Sequence, residues 1–325
     1  MRRRDFIKLI TGSATAWPLA ARAQQPAMPV IGYLTSRSQA EIADSIAAFR
    51  QGLREAGYID GENVKVETRF AENDYARAPG LAADLVRRQV SVIVADGFPA
   101  AVSAKAATTT IPIVFFVGAD AVTAGLVASL NRPGGNLTGI ANLTAELVPK
   151  WLELMHQVAA PTVIALLVNP SNPNAEAVRR AFETAARKFG LNFQVLKAQN
   201  DQEIEADFAT LRQLQVGGLL ISPDALFTSH VVKLATLSSN LAMPALFSLR
   251  EFAAAGGLMS CGASLAEALR LVGQYAARIL KGEKPADLPV MLPTKFELVI
   301  NQKAAKAMGI SIPQALFVAA DEVIE

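Results

Sequence analysis

Short runs of branched and aromatic residues alternate along this chain with longer stretches in which apolar side chains recur every three or four positions. The clearest run, residues 113–117 (Ile-Val-Phe-Phe-Val), is bounded by Pro112 and Gly118, the pattern of a strand buried on both faces of a parallel sheet. Ahead of it, residues 29–34 predict a strand, and Ile42, Ile46, Phe49 and Leu53 form one apolar helix face that Gly57 ends. Val64, Val66, Thr68 and Phe70 alternate with Lys65, Glu67 and Arg69, which predicts a half-exposed strand near a sheet edge. A helix through Leu81 and Leu85, a buried strand over 91–95 and a helix opened by Pro99 and running to Thr109 follow. After 113–117 the pattern predicts a helix over 123–130, a Pro/Gly turn over 131–136 and a strand over 137–142. Such strand–helix alternation predicts a doubly wound α/β sheet covered by helices.

The alternation then restarts. Helices are expected over 147–158, up to Gly190, over 203–214 and over 227–239, with strands over 162–168, 193–196, 218–221 and 244–249. Ile111-Pro112-Ile113-Val114-Phe115 and Met243-Pro244-Ala245-Leu246-Phe247 look like equivalent strand starts in two halves. Residues 256–261, a helix over 265–281, a linker over 282–293 and residues 296–300 are more chain than the second half needs, so the chain is expected to cross back and make a hinge. The expected division is an N-terminal lobe of residues 28–142 plus about 250–290, and a C-terminal lobe of 146–247 plus about 294–325.

The amino terminus changes the charge picture. Arg3-Arg4-Asp5-Phe6-Ile7-Lys8, a modest apolar stretch and Ala21-Arg22-Ala23 have the form of a twin-arginine export signal, residues 1–23, cleaved after Ala23. Arg2, Arg3, Arg4, Lys8 and Arg22 against Asp5 account for a net +4, so the remaining 302 residues carry −2 of the chain's total of +2. No basic stripe is left to propose nucleic acid or a membrane surface as partner. No later apolar run reaches the roughly 20 residues of a membrane span. The expected product is periplasmic, and the single cysteine, Cys261, can form no internal disulfide.

Catalytic signatures are absent: there is no phosphate-binding P-loop, no nucleophile elbow and no dinucleotide fingerprint after the first strand. His156 and His230 lack metal-ligand spacing. Asp224, Ser229 and His230 would not point at one another along a helix, and Cys261 sits in an apolar run with no base nearby. No catalytic residue, metal or cofactor is expected. What stands out is a set of small polar loops at strand carboxyl ends: Ser36, Asp96 to Pro99, Gly118 to Asp120, Asn142, Asn169 to Asn174, Ser222 to Asp224 and Ser260 to Gly262. In two facing doubly wound domains these loops converge on one cleft. They offer hydrogen bonds, one or two carboxylates and few cations, which suits a small polar or zwitterionic ligand.

Thr110 to Phe115 (T-I-P-I-V-F), Leu130 to Gly139 (L-N-R-P-G-G-N-L-T-G), Asn169 to Pro173 (N-P-S-N-P) and the segment from Pro293 to Gly309 (P-T-K-F-E-L-V-I-N-Q-K-A-A-K-A-M-G) carry a family resemblance. The chain resembles the ABC transporter substrate-binding proteins whose best understood members bind tryptophan and related aromatic amino acids. The resemblance implies a type I periplasmic-binding-protein fold of two Rossmann-like lobes joined by a multi-crossing hinge. It also implies no chemistry of its own and delivery of a ligand to ABC permease and ATPase subunits on other chains. The family's cleft residues carry over onto Ser36, Gly97, Phe98, Pro99, Ala100, Asp120, Asn142, Asn169, Asn174 and Asp224. Two positions depart from relatives, which commonly have an aromatic residue at Cys261 and an Asp-Tyr pair at Ala263-Ser264; fewer aromatic walls leave room for a different or larger ligand. A periplasmic sensor feeding a membrane signalling partner, and less readily an enzyme, are the alternatives.

Overall fold

Two helix-flanked sheets account for most of the apolar runs in the computed structural model, which describes residues 28–293 and 296–325; the expected export signal, residues 1–23, lies outside them. The first sheet contains β1 (Val30–Thr35), β2 (Lys65–Phe70), β3 (Val92–Asp96), β4 (Ile113–Val117) and β5 (Leu137–Ala141), in the order β2-β1-β3-β4-β5 and parallel throughout. The alternating segment forms an edge strand, as its half-polar pattern requires. The second sheet contains β6 (Val163–Val168), β7 (Asn192–Lys197), β8 (Gly218–Ile221), β9 (Ala245–Phe247), β10 (Met259–Ala263), β11 (Phe296–Asn301) and β12 (Glu322–Ile324). Its order is β12-β11-β10-β9-β8-β6-β7, with β10 and β11 antiparallel and the other pairs parallel.

The first five strands of each half share one plan, β2-β1-β3-β4-β5 matching β7-β6-β8-β9-β10. The Ile-Pro and Met-Pro strand starts fall at equivalent places. Ile93 N donates to Pro112 O and Leu219 N donates to Pro244 O, each at 2.8 Å. Proline carbonyls accept while the ring costs no ladder donor, because each proline stands just before its strand.

The division between halves differs from the expected one. Residues 250–263 belong with the second sheet, because β10 pairs with β9 and β11; the chain returns to the first half only after Ala263. There the helix Leu265–Leu280 packs along the helix Ala43–Glu55. Ile46, Phe49 and Leu53 meet Ala268, Val272 and Tyr275 in one buried cluster. The approach is close: a Cβ on Gly52 would stand 1.9 Å from Arg270 O, and one on Gly273 would stand 2.2 Å from Phe49 O. Met291 bridges Ile140 of β5, and the chain passes back to the second sheet before Phe296. With the first passage after Ala141, the chain crosses between halves three times.

Local departures have local causes. Residues 121–126 form turns, not the expected helix, since Gly125 adopts φ +68° and interrupts helical geometry. The helix expected over 227–239 is two, Ala225–Ser229 and Val231–Asn240, broken at His230. The helix Thr144–Ala159 starts earlier than its apolar pattern and tolerates Pro149 near its beginning. Short helices Gln302–Ala307 and Gln314–Ala319 and strand β12 complete the second half. Among the described residues no helix is long and apolar enough to cross a membrane.

Candidate functional site

In sheets of this order a crevice opens where the strand order reverses, beyond the carboxyl ends of the strands on either side. In the first half those strands are β1 and β3. Asp96, the last residue of β3 and 5% exposed, accepts from Tyr33 Oη at 3.1 Å, Thr35 Oγ1 at 3.1 Å and Arg37 Nη2 at 2.9 Å. Arg37 Nη2 also donates to Ser45 Oγ at 2.8 Å. Burial alone would draw the Arg37 pKa down, but Asp96, with Tyr33 and Glu41 adding to it, more than offsets that and the guanidinium is held charged. Burial first, and then the Asp96 charge, push the Tyr33 phenol well above its ordinary range. Gly97 follows at φ +106°, a conformation side chains resist, and turns the chain into the helix Phe98–Ala107. Pro99 has no N–H, so the first turn of that helix leaves the amides of Phe98 and Ala100 without intrahelical acceptors.

In the second half the crevice lies between β6 and β8. Asp224, 6% exposed, accepts from Asn169 Nδ2 at 3.0 Å and Leu226 N at 2.9 Å on one oxygen. Its other oxygen accepts from Asn172 Nδ2 at 2.8 Å and Tyr75 Oη at 2.6 Å. Burial pushes the Asp224 carboxyl pKa up, and these hydrogen bonds, that of Tyr75 foremost, pull against it. Tyr75 belongs to the first half; burial and the Asp224 charge raise its phenol pKa. Asn73 Nδ2 likewise crosses to Ser229 Oγ at 2.8 Å, and Ser229 Oγ in turn lies against the Glu41 carboxylate.

Between the crevices lies a cavity of about 140 Å³ walled by both halves, close to the roughly 150 Å³ that accommodates a benzene-sized molecule in other proteins. Ser36, Gly97, Phe98, Pro99, Asn142, Asn174 and Asp224, all expected from the sequence, line it. Three expected residues do not. Ala100 is fully buried behind the helix start, and Asn169 stands beneath Asp224 and holds it. Asp120 is exposed and serves its own turn, accepting from Val122 N at 2.9 Å, Thr123 N at 3.3 Å and Thr123 Oγ1 at 2.6 Å. The Thr123 hydroxyl lowers its pKa, and a carboxylate satisfied by its own next residues is a cap.

The pattern did not single out Arg37, Tyr75 or the apolar walls Phe116, Leu147, Leu249 and Leu265, and Asn172 entered only as part of the loop Asn169 to Asn174. Leu147 and Leu265 carried only the signal of helix faces; Tyr75 carried none. Gly262 and Ala263 also line the cavity, whereas the Cys261 side chain joins the second-half core. Its carbonyl accepts from Trp151 Nε1 at 2.9 Å, and burial pushes its thiol up to about 11, an inert state. Two buried polar atoms of the wall, Ser36 Oγ and Asn142 Oδ1, have no hydrogen-bond partner among the described residues. A second cavity of about 340 Å³ shares Arg37, Thr228 and Leu265 with the first and is lined by Glu41, Asp44 and Glu251.

Comparison with known proteins finds the same fold. A tyrosine-binding protein of Clostridioides difficile (strain R20291) is 28% identical over 262 residues, 80% of this chain and 75% of that protein. The crystal structure of a conserved domain protein from Vibrio cholerae matches with a TM-score of 0.85 at 25% identity, over 91% of this chain and 99% of the other. An ABC domain from Streptococcus pneumoniae in complex with L-Trp matches with a TM-score of 0.83 at 26% identity, again over 91% and 99%. The two-lobed α/β architecture is that of type I periplasmic binding proteins. The sequence profile of ABC transporter substrate binding proteins matches residues 35–324, and the chain belongs to that family of binding proteins, which are not enzymes.

Proposed function

We propose that this protein is the extracytoplasmic receptor of an ABC importer and closes on a small amino-acid-like molecule in the cavity between its two halves. The observation that carries this reading is the pair of buried, unpartnered acceptor-capable atoms in the cavity wall, Ser36 Oγ and Asn142 Oδ1. A buried polar atom without a partner costs about 1–3 kcal/mol, a cost that a bound polar molecule reaching these atoms would remove. Gly97, Phe98 and Pro99 at a helix start line the same cavity, and Phe98, Phe116, Leu147, Leu249 and Leu265 supply an apolar side. Polar groups that fix orientation against an apolar wall suit a small molecule with one charged end. The tyrosine and tryptophan named for its relatives belong to that class.

The test is a thermal-melt screen of the chain lacking residues 1–23 against the twenty L-amino acids, followed by calorimetry. At least one amino acid is expected to raise the melting temperature and titrate at a single site. No response to any of them, with a co-purifying molecule of another class found by native mass spectrometry, would overturn the reading. Export is proposed to run through the twin-arginine signal, with cleavage after Ala23. Changing Arg3→Lys together with Arg4→Lys is expected to hold the protein in the cytoplasm, and undiminished periplasmic yield would refute that route.

A further inference from the structure

We propose that Arg37 receives a carboxylate of the ligand and that Asp96 is the positioning residue that fixes its guanidinium, so the cavity selects carboxylate-bearing small molecules over their amides. The inference rests on the cavity being the ligand site. Among the described residues Arg37 is the one cation on the walls of either cavity. It is 7% exposed, and both of its side-chain hydrogen bonds, to Asp96 and Ser45, leave from Nη2. A guanidinium has five N–H donors in a planar fork. Those on Nε and Nη1 find no acceptor among the described residues, and neither is among the sealed, unpartnered atoms.

The surroundings fit an anion at that free edge. Ser36 Oγ, the neighbouring unpartnered hydroxyl, lies beside the start of the helix Phe98–Ala107: a Cβ on Gly97 would stand 3.2 Å from it. The hydroxyl, the helix-start amides and the guanidinium edge are all donors, and the helix dipole adds positive potential at the same end. Tyr33, Thr35 and Arg37 all donate to Asp96 Oδ2, so that oxygen is committed to the fold. What it does is hold Nη2 and turn the other edge of Arg37 outward. An ion pair inside a binding site commonly works this way, because an arginine has two edges and can bridge two carboxylates.

The experiment pairs acids with their carboxamides: each standard L-amino acid and a set of small aliphatic and aromatic monocarboxylates beside the matching amide, measured by calorimetry. For any acid that binds, the amide is expected to bind at least tenfold more weakly to the wild type. Arg37→Lys keeps the charge but loses the planar fork, and is expected to narrow that ratio several-fold. The paired change Arg37→Gln with Asp96→Asn removes both buried charges together, so neither is orphaned, and is expected to weaken acid binding about ten- to hundredfold with little effect on the amide. An amide that binds the wild type as well as its acid overturns the proposal, as does an equal loss for acid and amide in the variants, which would make Arg37 a structural residue. Binding only of non-carboxylate probes at this cavity would overturn the carboxylate assignment while sparing the cavity as a site; binding of no probe at all would overturn both.

Discussion

Tyr75→Phe removes one oxygen atom and tests how the two halves are held together. The Tyr75 hydroxyl donates to Asp224 Oδ2 at 2.6 Å across the cavity. Asn169, Asn172 and the amide of Leu226 remain on Asp224 in the variant, so the carboxylate is not orphaned. A hydrogen bond to a charged group contributes about 1.5–3 kcal/mol. Because donor and acceptor sit in different halves, this contribution exists only when the halves are together, and each half keeps its own core. The closed-to-open ratio is therefore expected to fall about ten- to hundredfold, with a melting temperature close to wild type. Ligand affinity should fall by the same factor, since the molecule engages both halves only when they are closed. Small-angle scattering of the ligand-free proteins reads the first effect as a larger radius of gyration in Tyr75→Phe, and calorimetry reads the second. Identical scattering and identical affinity would refute the reasoning and reduce the bond to a surface contact.

Two further substitutions test readings of single carboxylates. Asp207 has a buried, unpartnered Oδ2, and burial followed by the Glu203 charge pushes its pKa up to about 6. The ionised form thus burdens the fold above pH 6, the burden fades as pH falls through that value, and it vanishes below the ordinary carboxylate pKa, where both states are protonated. Asp207→Asn should therefore stabilise at pH 8 by about 1–2 kcal/mol, a full two-unit shift being worth roughly 3 before discounting for partial exposure, and should be neutral near pH 4; melts at both pH values that show equal gains would count against it. Asp120→Asn should leave ligand affinity unchanged and stability within about 0.5 kcal/mol, because Asn is an equally good cap; a tenfold loss of affinity in calorimetry would return Asp120 to the site.

How much of the fold was legible follows from which forces act locally. Strands such as 113–117 and 218–221 were legible because a strand buried on both faces must be apolar at every position, and the edge character of β2 because one of its faces is polar. The break at His230 was not, because both helices continue one apolar face and the interruption is a matter of backbone geometry. The lobe assignment of residues 250–263 failed for another reason: Met259 to Ala263 is apolar enough for either sheet, and only its pairing with β9 and β11 decides. The helix Leu265–Leu280 covers Ala43–Glu55 through side chains far apart in sequence, Phe49 and Leu53 against Val272 and Tyr275, a pairing no local pattern specifies.

The site was legible as a set of loops but not as a set of bonds. Doubly wound topology obliges strand carboxyl ends to face one edge, so Ser36, Asn142, Asn174 and Asp224 could be chosen by position alone. Their partners could not: Tyr75 and Asp224 are 149 residues apart, and Arg37 and Asp96 are 59 apart. The contrast between Asp96 and Asp120 shows where a finer signal was available. Both stand at the carboxyl ends of buried strands of the same sheet, yet Asp120 is followed by Ala121-Val122-Thr123, whose Val122 and Thr123 amides and Thr123 hydroxyl satisfy a carboxylate locally. Asp96 is followed by Gly97-Phe98-Pro99, which offers no hydroxyl and, at Pro99, no amide, so its donors had to come from other strands and loops. A carboxylate at a strand end whose next three residues cannot satisfy it must be met by the fold, and in this chain what meets it is a buried arginine with an edge to spare.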